Sequence, residues 1–106
     1  DPGFKEVWDY HIAIAKNAYD IGFDELNFDY IRYPSDGPMK DIYFPQSEAR
    51  VMAKPGIGKS EVIEEFFVYL NKKMKEYGII TSADLFGMTT TSFDDLNIAK
   101  ISNFLV

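Results

Sequence analysis

Two long stretches of the chain carry apolar residues at helical spacing. Within residues 4–21 four apolar side chains recur on one helical face, and Gly22 ends the pattern. These four are Trp8, Ile12, Ala15 and Tyr19. A second helix is predicted from Ser60, a suitable N-cap residue, to Gly78. Its apolar face comprises Val62, Ile63, Phe66, Phe67, Leu70, Met74 and Tyr77. Both patterns predict amphipathic helices, and the second is typical of a helix packed on a sheet.

A short apolar segment typical of a β-strand follows each predicted helix. The first strand is predicted over residues 25–31 and the second over residues 79–87. Repeated proline and glycine predict a long loop over about residues 34–59. A third helix is predicted over residues 90–106, where a capping-box pattern precedes the apolar positions. Because helices and strands alternate, the chain is expected to have an α/β fold of parallel βα units.

Polar residues occupy one face of each predicted strand. Side chains alternate across a strand, so Asn27 and Asp29 share one face of the first. The opposite face carries Leu26, Phe28 and Tyr30. In the second strand Ser82 and Asp84 share a face. Ordinary parallel strands are covered on both faces and are apolar throughout. A polar face on both strands therefore indicates the interior of a small β/α barrel or the mouth of a crevice, with active residues at the C-terminal strand ends.

Asp29 and Asp84 are the candidate catalytic residues, because each falls near the end of its strand. Two carboxylates can divide the roles of nucleophile and proton carrier, and glycoside hydrolysis is the best-known reaction built on such a pair. Aromatic rings suit the apolar faces of sugars, and Arg supplies fixed hydrogen-bond donors. The substrate-binding candidates beside the strand ends are Tyr30, Arg32, Tyr33 and Phe86. A structural interpretation stays open, in which Asp29 pairs with Arg32 or a lysine and Asp84 caps a turn.

Bulk composition excludes several other classes of function. The chain has 106 residues, enough for one small domain, and a formal charge of −6 without a basic cluster, so nucleic acid is not expected as a partner. No apolar run approaches the length of a membrane span. There is no cysteine and His11 is the only histidine, so a zinc site is not predicted. Asp36 and Asp41 lack the alternating ligand pattern of a calcium loop, and no cofactor is expected. The sequence "GIGKS" at residues 56–60 lacks the leading glycine and the preceding strand of a phosphate-binding loop.

Two segments of the chain resemble a known family. These are "VWDYHIAIAKNAYDIGFDELNFDYIRYPSDG" at residues 7–37 and "ITSADLFGMTTT" at residues 80–91. They are similar to the recurring text of the "Putative glycosyl hydrolase domain" family of bacterial proteins. The resemblance implies a (β/α)₈ barrel of the TIM type that cleaves sugars, and it suggests an extracellular or cell-envelope location. It also implies that Asp29 takes the position that the nucleophile has in several barrel glycosidases, with Asp84 as the acid of the adjacent strand.

A complete barrel of this type needs about 250 residues. The chain supplies two strands and about three helices, so residues 1–106 are expected to be a single partial domain that associates with the remainder of a barrel or with a second copy. The predicted function is glycoside hydrolysis by the complete protein, with the isolated fragment inactive. Two alternatives remain open: a carbohydrate-binding barrel without turnover, and a small structural α/β domain.

Overall fold

The computed structural model of the chain describes residues 1–34 and 36–87. In this part three α-helices accompany two strands and a short 3₁₀ helix. The elements in chain order are α1 (Lys5–Ile21), β1 (Glu25–Phe28), the 3₁₀ helix (Met39–Asp41), α2 (Pro45–Ala53), α3 (Lys59–Tyr77) and β2 (Ile80–Ala83). The two strands pair in parallel, which confirms the prediction of a mixed α/β structure with parallel strands. The helix predicted over residues 90–106 lies outside the described residues.

Helices α1 and α3 bury the faces that their apolar spacing predicts. In α1 the buried residues are Trp8, Ile12 and Ala15, while Tyr19 is 37% exposed at the edge of that face. The buried residues of α3 are Val62, Ile63, Phe67, Leu70 and Met74. Each such side chain contributes about 1.5–3 kcal/mol when it leaves water. Gly78 ends α3 in the left-handed conformation, with φ of 70°, where a Cβ atom would add strain.

The start of α3 differs from the prediction. The N-cap residue is Gly58, so Ser60 lies inside the first turn. The carboxylate of Glu61 accepts a hydrogen bond from the backbone N–H of Gly58, with 2.8 Å between the atoms. A glutamate at the third helical position often reaches back in this way. The expectation that the Ser60 hydroxyl caps this helix is therefore wrong.

The stretch predicted as a loop contains the helix α2, so the expectation of an unbroken loop over residues 34–59 is wrong. Pro45 begins α2, where the missing N–H of proline costs nothing. The donors of the first turn are capped from a distance in sequence. The Asp1 carboxylate accepts hydrogen bonds from the backbone N–H of Gln46 at 2.7 Å and from the hydroxyl of Ser47 at 2.6 Å. Such a cap depends on tertiary structure and leaves no local signal.

Arg50 joins α2 to the neighbouring elements. Its guanidinium lies 4.8 Å from the centre of the Trp8 ring and forms an ion pair with Glu65 at 2.8 Å. The same side chain donates a hydrogen bond to the backbone carbonyl of Gly3 at 2.8 Å. Planar stacking combined with directed N–H donors is characteristic of arginine. The contacts attach α2 to α1, to α3 and to the N-terminal segment.

The core consists of two clusters along α3. One contains the buried residues Ile12, Ala15, Leu70, Met74 and Ile79, with Leu26 and Phe28 of β1 packed against it. The other contains Tyr33, Phe44, Ile63 and Phe67, with Ala83 and Leu85 packed against it. The apolar faces of both strands therefore point toward α3, as the alternation of side chains predicts. The opposite faces carry the polar residues.

Among the helices in the described part of the chain, none is both long enough and apolar enough to cross a membrane.

Candidate active site

The two candidate aspartates follow the two strands at the same edge of the sheet. The pairing register places Asn27 opposite Ser82 and Phe28 opposite Ala83, and the next residues are Asp29 and Asp84. The backbone N–H of Asp84 continues the ladder by donating to the carbonyl of Phe28 at 3.0 Å. The C-terminal ends of parallel strands are the edge where α/β proteins hold ligands.

A single concavity of about 210 Å³ is lined by both Asp29 and Asp84. The other residues that line this concavity are Tyr30, Ile31, Arg32, Leu85 and Phe86. Both aspartates are exposed, so their carboxylates are open to a ligand from solvent. The structure thus brings together five of the six candidate residues that the sequence analysis named.

Asn27 adds a side-chain contact to this edge. Its amide Nδ2 donates a hydrogen bond to Oδ1 of Asp84 at 3.3 Å. The contact requires both side chains to lie on the same side of the sheet, as strand alternation predicts. Sequence reasoning placed Asn27 on this face without naming it as a site residue, and the register of the two strands was the missing information.

The backbone turns sharply after β1. Within residues 1–34 and 36–87, one non-glycine residue has a positive φ angle. It is Tyr30, with φ of 57°. Oδ1 of Asp29 accepts a hydrogen bond from the backbone N–H of Tyr30 at 2.6 Å, and the N–H of Arg32 donates to the carbonyl of Tyr30 at 2.9 Å. A left-handed conformation of this kind costs about 1–3 kcal/mol and is often found at functional sites.

The turn changes where Tyr30 points. Strand β1 ends at Phe28 and does not extend to residue 31 as predicted, so the alternation of faces stops before Tyr30. Tyr30 is 49% exposed and does not share the inward face of Leu26 and Phe28, which corrects the sequence-based assignment of its face. Its hydroxyl donates to the carboxylate of Asp36 at 3.2 Å, which holds the ring beside the concavity.

Arg32 lies close to two aromatic rings. Its guanidinium carbon lies 4.0 Å from the centre of the Tyr30 ring and 4.6 Å from that of Phe86. A guanidinium stacks on aromatic rings and carries its N–H donors in a fixed planar fork. The arrangement supplies a positive charge with fixed orientation in the concavity that holds both aspartates.

Tyr33 lies in the core and not at the concavity. The side chain is 1% exposed, and its ring meets that of Phe44 edge to face with 5.0 Å between centres. Its hydroxyl donates to Oγ of Ser47 at 2.7 Å. The expectation that Tyr33 contacts substrate does not fit this position, because the ring presents almost no surface. Its hydroxyl connects the chain after β1 to the start of α2.

The described residues contain no group of three or more His, Cys, Asp or Glu side chains that could hold a metal ion. The described residues also form two further concavities. The larger, of about 620 Å³, lies between α3 and the segment that joins it to α2, and neither candidate aspartate lines it. The smaller, of about 290 Å³, shares residues 29–32 with the aspartate concavity.

Two charged side chains of α1, Lys5 and Asp9, have shifted pKa values. Neither residue lines the aspartate concavity. The hydroxyl of Tyr69 donates a hydrogen bond to the Asp9 carboxylate and lowers the pKa of Asp9, and the nearby Lys5 charge acts in the same direction. The same Tyr69, followed by the Asp9 charge, raises the pKa of Lys5. These interactions join the exposed side of α1 to α3.

Parallel strands that end on exposed aspartates place the chain in the class of α/β proteins with an acidic site at the strand ends. The sequence profile of the family described as "Putative glycosyl hydrolase domain" matches residues 1–105, and the chain belongs to this family. No curated protein shows significant similarity to the chain, and neither does any solved structure.

Proposed function

We propose that the chain forms part of a glycoside hydrolase that cleaves O-glycosidic bonds in a polysaccharide, with Asp29 and Asp84 as the reacting acids. The observation that carries the proposal is that both carboxylates follow neighbouring parallel strands in register and line one concavity. Membership of the glycosyl hydrolase domain family supports the same class of reaction.

The chemistry needs two carboxyl groups. One, in its protonated form, donates its proton to the glycosidic oxygen as the bond to the anomeric carbon breaks. The other attacks that carbon or removes a proton from an attacking water, so that a hydroxyl finally replaces the leaving sugar. Asp29 and Asp84 are both exposed, so a sugar bound in the concavity can reach each carboxylate.

Tyr30, Arg32 and Phe86 are the proposed substrate contacts. All three line the concavity with the aspartates, and the guanidinium carbon lies 4.0 Å and 4.6 Å from the centres of the two rings. The exposed parts of Tyr30 and Phe86 suit the apolar face of a sugar ring, while Arg32 donates to sugar hydroxyls or a carboxylate. Tyr33 is left out of this set because it is buried and bonded to Ser47.

The proposed complete fold is a (β/α)₈ barrel in which β1 and β2 are adjacent strands of the wall. The outward faces of both strands support this, because Asn27, Ser82 and Asp84 would line a barrel interior. In the described residues the sheet has two strands, so each keeps an outer edge that can accept a further strand. The proposed partners are therefore a carbohydrate and either the remainder of the barrel or a second copy of the chain.

One observation favours a second candidate, a carbohydrate-binding protein without turnover. A carboxylate oxygen of each aspartate already accepts a hydrogen bond from the chain, from the N–H of Tyr30 for Asp29 and from Asn27 for Asp84. Carboxylates held in this way also serve as fixed acceptors for sugar hydroxyls. This candidate predicts binding of the same glycans without release of new reducing ends.

The test compares Asp29→Asn and Asp84→Asn with the wild type on a panel of polysaccharides, in the longest natural chain that contains residues 1–106. Each substitution should lower the release of reducing ends by about 10²- to 10⁴-fold, the usual contribution of a catalytic acid or base, with binding largely retained. The matched control is Asp20→Asn at the exposed end of α1, which should retain full activity. Hydrolysis that survives both site variants would overturn the proposal, and wild-type binding without hydrolysis would favour the second candidate.

A further inference from the structure

A second cavity adjoins the aspartate concavity. It has a volume of about 290 Å³, and residues 29–32 line both spaces. A ligand group in this cavity would therefore lie next to the segment that carries Asp29. The cavity is formed where α1, the end of β1 and α3 meet, so its position depends on the packed part of the fold.

The walls of this cavity are mainly apolar. Its principal lining side chains are Val7, Trp8, Phe28, Phe44, Ile63 and Phe66. Charged or titratable side chains, including Asp29, Arg32 and the only histidine, His11, also line it. A mainly apolar space with a few polar groups is typical of a pocket for a small ligand.

The aromatic walls are held in place by contacts of their own. Trp8 is 5% exposed, and its indole N–H donates to the backbone carbonyl of Pro2 at 2.6 Å. The Trp8 ring packs against Phe66 with 5.7 Å between ring centres. Because the one polar atom of the indole is already bonded, Trp8 presents an apolar surface to the cavity.

The size of the cavity suits one small group. An apolar cavity of about 150 Å³ is known to accept benzene, so the space here is sufficient for a single ring with its linking atoms. Four of the principal lining side chains are aromatic, and aromatic rings favour edge-to-face or offset contact with another ring. The apolar part of the wall thus favours contact with an aromatic ring.

We propose that this cavity binds an aromatic ring that is attached to the sugar at the aspartate site. The substrate class is then a glycan or glycoside with an aryl substituent. The link to a sugar depends on the proposed function, whereas the binding of an aromatic ring to the cavity does not. The ring enters beside residues 29–32 and contacts Phe28 and Phe66, the two phenylalanines of the lining that are only partly buried.

Benzyl alcohol serves as the probe, and methyl-labelled isoleucines report where it binds. The methyl signals of Ile31 and Ile63, which line the cavity, should shift saturably as the probe is added. The signals of Ile14 and Ile21, which are 49% and 72% exposed on α1 and do not line the cavity, should stay unchanged. Equal shifts at all four residues, or no saturable shift at Ile31 and Ile63, would overturn the proposal.

A variant that fills the cavity gives the second measurement. Val7→Phe adds a ring at a lining position and should weaken binding of benzyl alcohol at least about tenfold, because the added ring occupies the ligand's space. The matched control Val68→Phe makes the same change at a 41% exposed position of α3 outside this cavity and should bind as the wild type does. Trp8 is the only tryptophan, so its fluorescence reports binding directly. Wild-type affinity in a folded Val7→Phe variant would contradict the assignment.

The two proposals fail in different ways. If neither Asp29→Asn nor Asp84→Asn lowers turnover, the hydrolase proposal is rejected, and ring binding detected at Ile31 and Ile63 still stands. Turnover without ring binding would reject the aromatic site alone. If both hold, the wild type should have a lower KM for an aryl glycoside than for the corresponding methyl glycoside, and Val7→Phe should remove the difference.

Discussion

The side-chain amide of Asn27 donates a hydrogen bond to Oδ1 of Asp84 although 57 positions separate the two residues, with 3.3 Å between the bonded atoms. The bond crosses from β1 to the end of β2 and orients one of the two proposed reacting acids. Its partner Asp29 is oriented by the backbone N–H of Tyr30. Each aspartate thus has a different local support, and the two supports can be altered separately.

Asn27→Ala should lower hydrolysis while changing stability little. An exposed hydrogen bond contributes about 0.5–1.5 kcal/mol at most, so the variant should fold as the wild type does. Asp84 would then lose its orienting donor, which should reduce kcat about tenfold. Reducing-end release and thermal unfolding measure the two effects. The control is Asn17→Ala on the exposed surface of α1, and equal activity of the two variants would contradict a role for Asn27.

Arg32→Lys should raise KM more than it lowers kcat. Lysine keeps the charge but has no planar group to stack on the rings of Tyr30 and Phe86, so the fixed donors for the sugar are lost. Steady-state kinetics on the best polysaccharide separate the two constants. Arg50→Lys is the comparison variant, because Arg50 stacks on Trp8 and pairs with Glu65 in the packed structure. That variant should unfold more easily with KM unchanged, and an unchanged KM in Arg32→Lys would reject the substrate contact.

Gly3→Ala should destabilise the chain by about 1–3 kcal/mol, the usual cost of overpacking. A Cβ atom at Gly3 would lie 2.5 Å from the backbone nitrogen of Ser47 and 2.7 Å from its Cα, so the first turn of α2 must move. The free energy of unfolding from urea titration measures the loss. Gly87→Ala is the control, since a Cβ atom there meets no atom of the described residues within 4 Å. Equal stability of the two variants would contradict the close approach.

Tyr69→Phe should raise the pKa of Asp9 toward its ordinary value. The tyrosine hydroxyl is the main cause of the lowered pKa, and phenylalanine lacks this donor. A lowered carboxyl pKa stabilises the folded state above the pKa of the unfolded chain, and the contribution is lost as the pH falls through the folded pKa. The variant should therefore be less stable than the wild type at neutral pH, with the difference shrinking in acid.

A carbon-detected NMR titration of the Asp9 carboxyl measures this shift, and urea unfolding at neutral and acidic pH measures its consequence. Tyr77→Phe, at another partly exposed tyrosine of α3, should leave the Asp9 titration unchanged. An Asp9 pKa that is the same in the wild type and in Tyr69→Phe would show that the hydroxyl does not stabilise the carboxylate.

Local patterns in the chain account for much of the fold. The period of apolar residues predicts α1 and α3 with their buried faces, because each helix needs one apolar stripe against the core. Alternation along the strands predicts that Leu26 and Phe28 point toward α3 while Asn27 points away. The same alternation identified Asp29 and Asp84, since a charged residue at the end of an apolar strand breaks the local pattern.

The helix α2 and the turn at Tyr30 could not be predicted in this way. The cap of α2 comes from Asp1, 45 positions before Gln46, and the helix has only nine residues, of which Ser47 is the buried one. Tyr30 adopts a conformation that tyrosine does not favour, and it does so where the Asp29 carboxylate accepts its N–H. Both features depend on groups that meet only in the folded chain.

The sequence by itself determined which residues could be inside and which carboxylates stood at the strand ends, because periodicity is a property of neighbouring positions. Tertiary structure alone decided that Tyr33 is buried beside Phe44 and bonded to Ser47, and that Arg32 lies close to the rings of Tyr30 and Phe86. An aromatic residue in a turn suits a core and a binding surface equally well by composition. Its place follows from contacts between distant segments, whose combined burial exceeds any local preference of the residue.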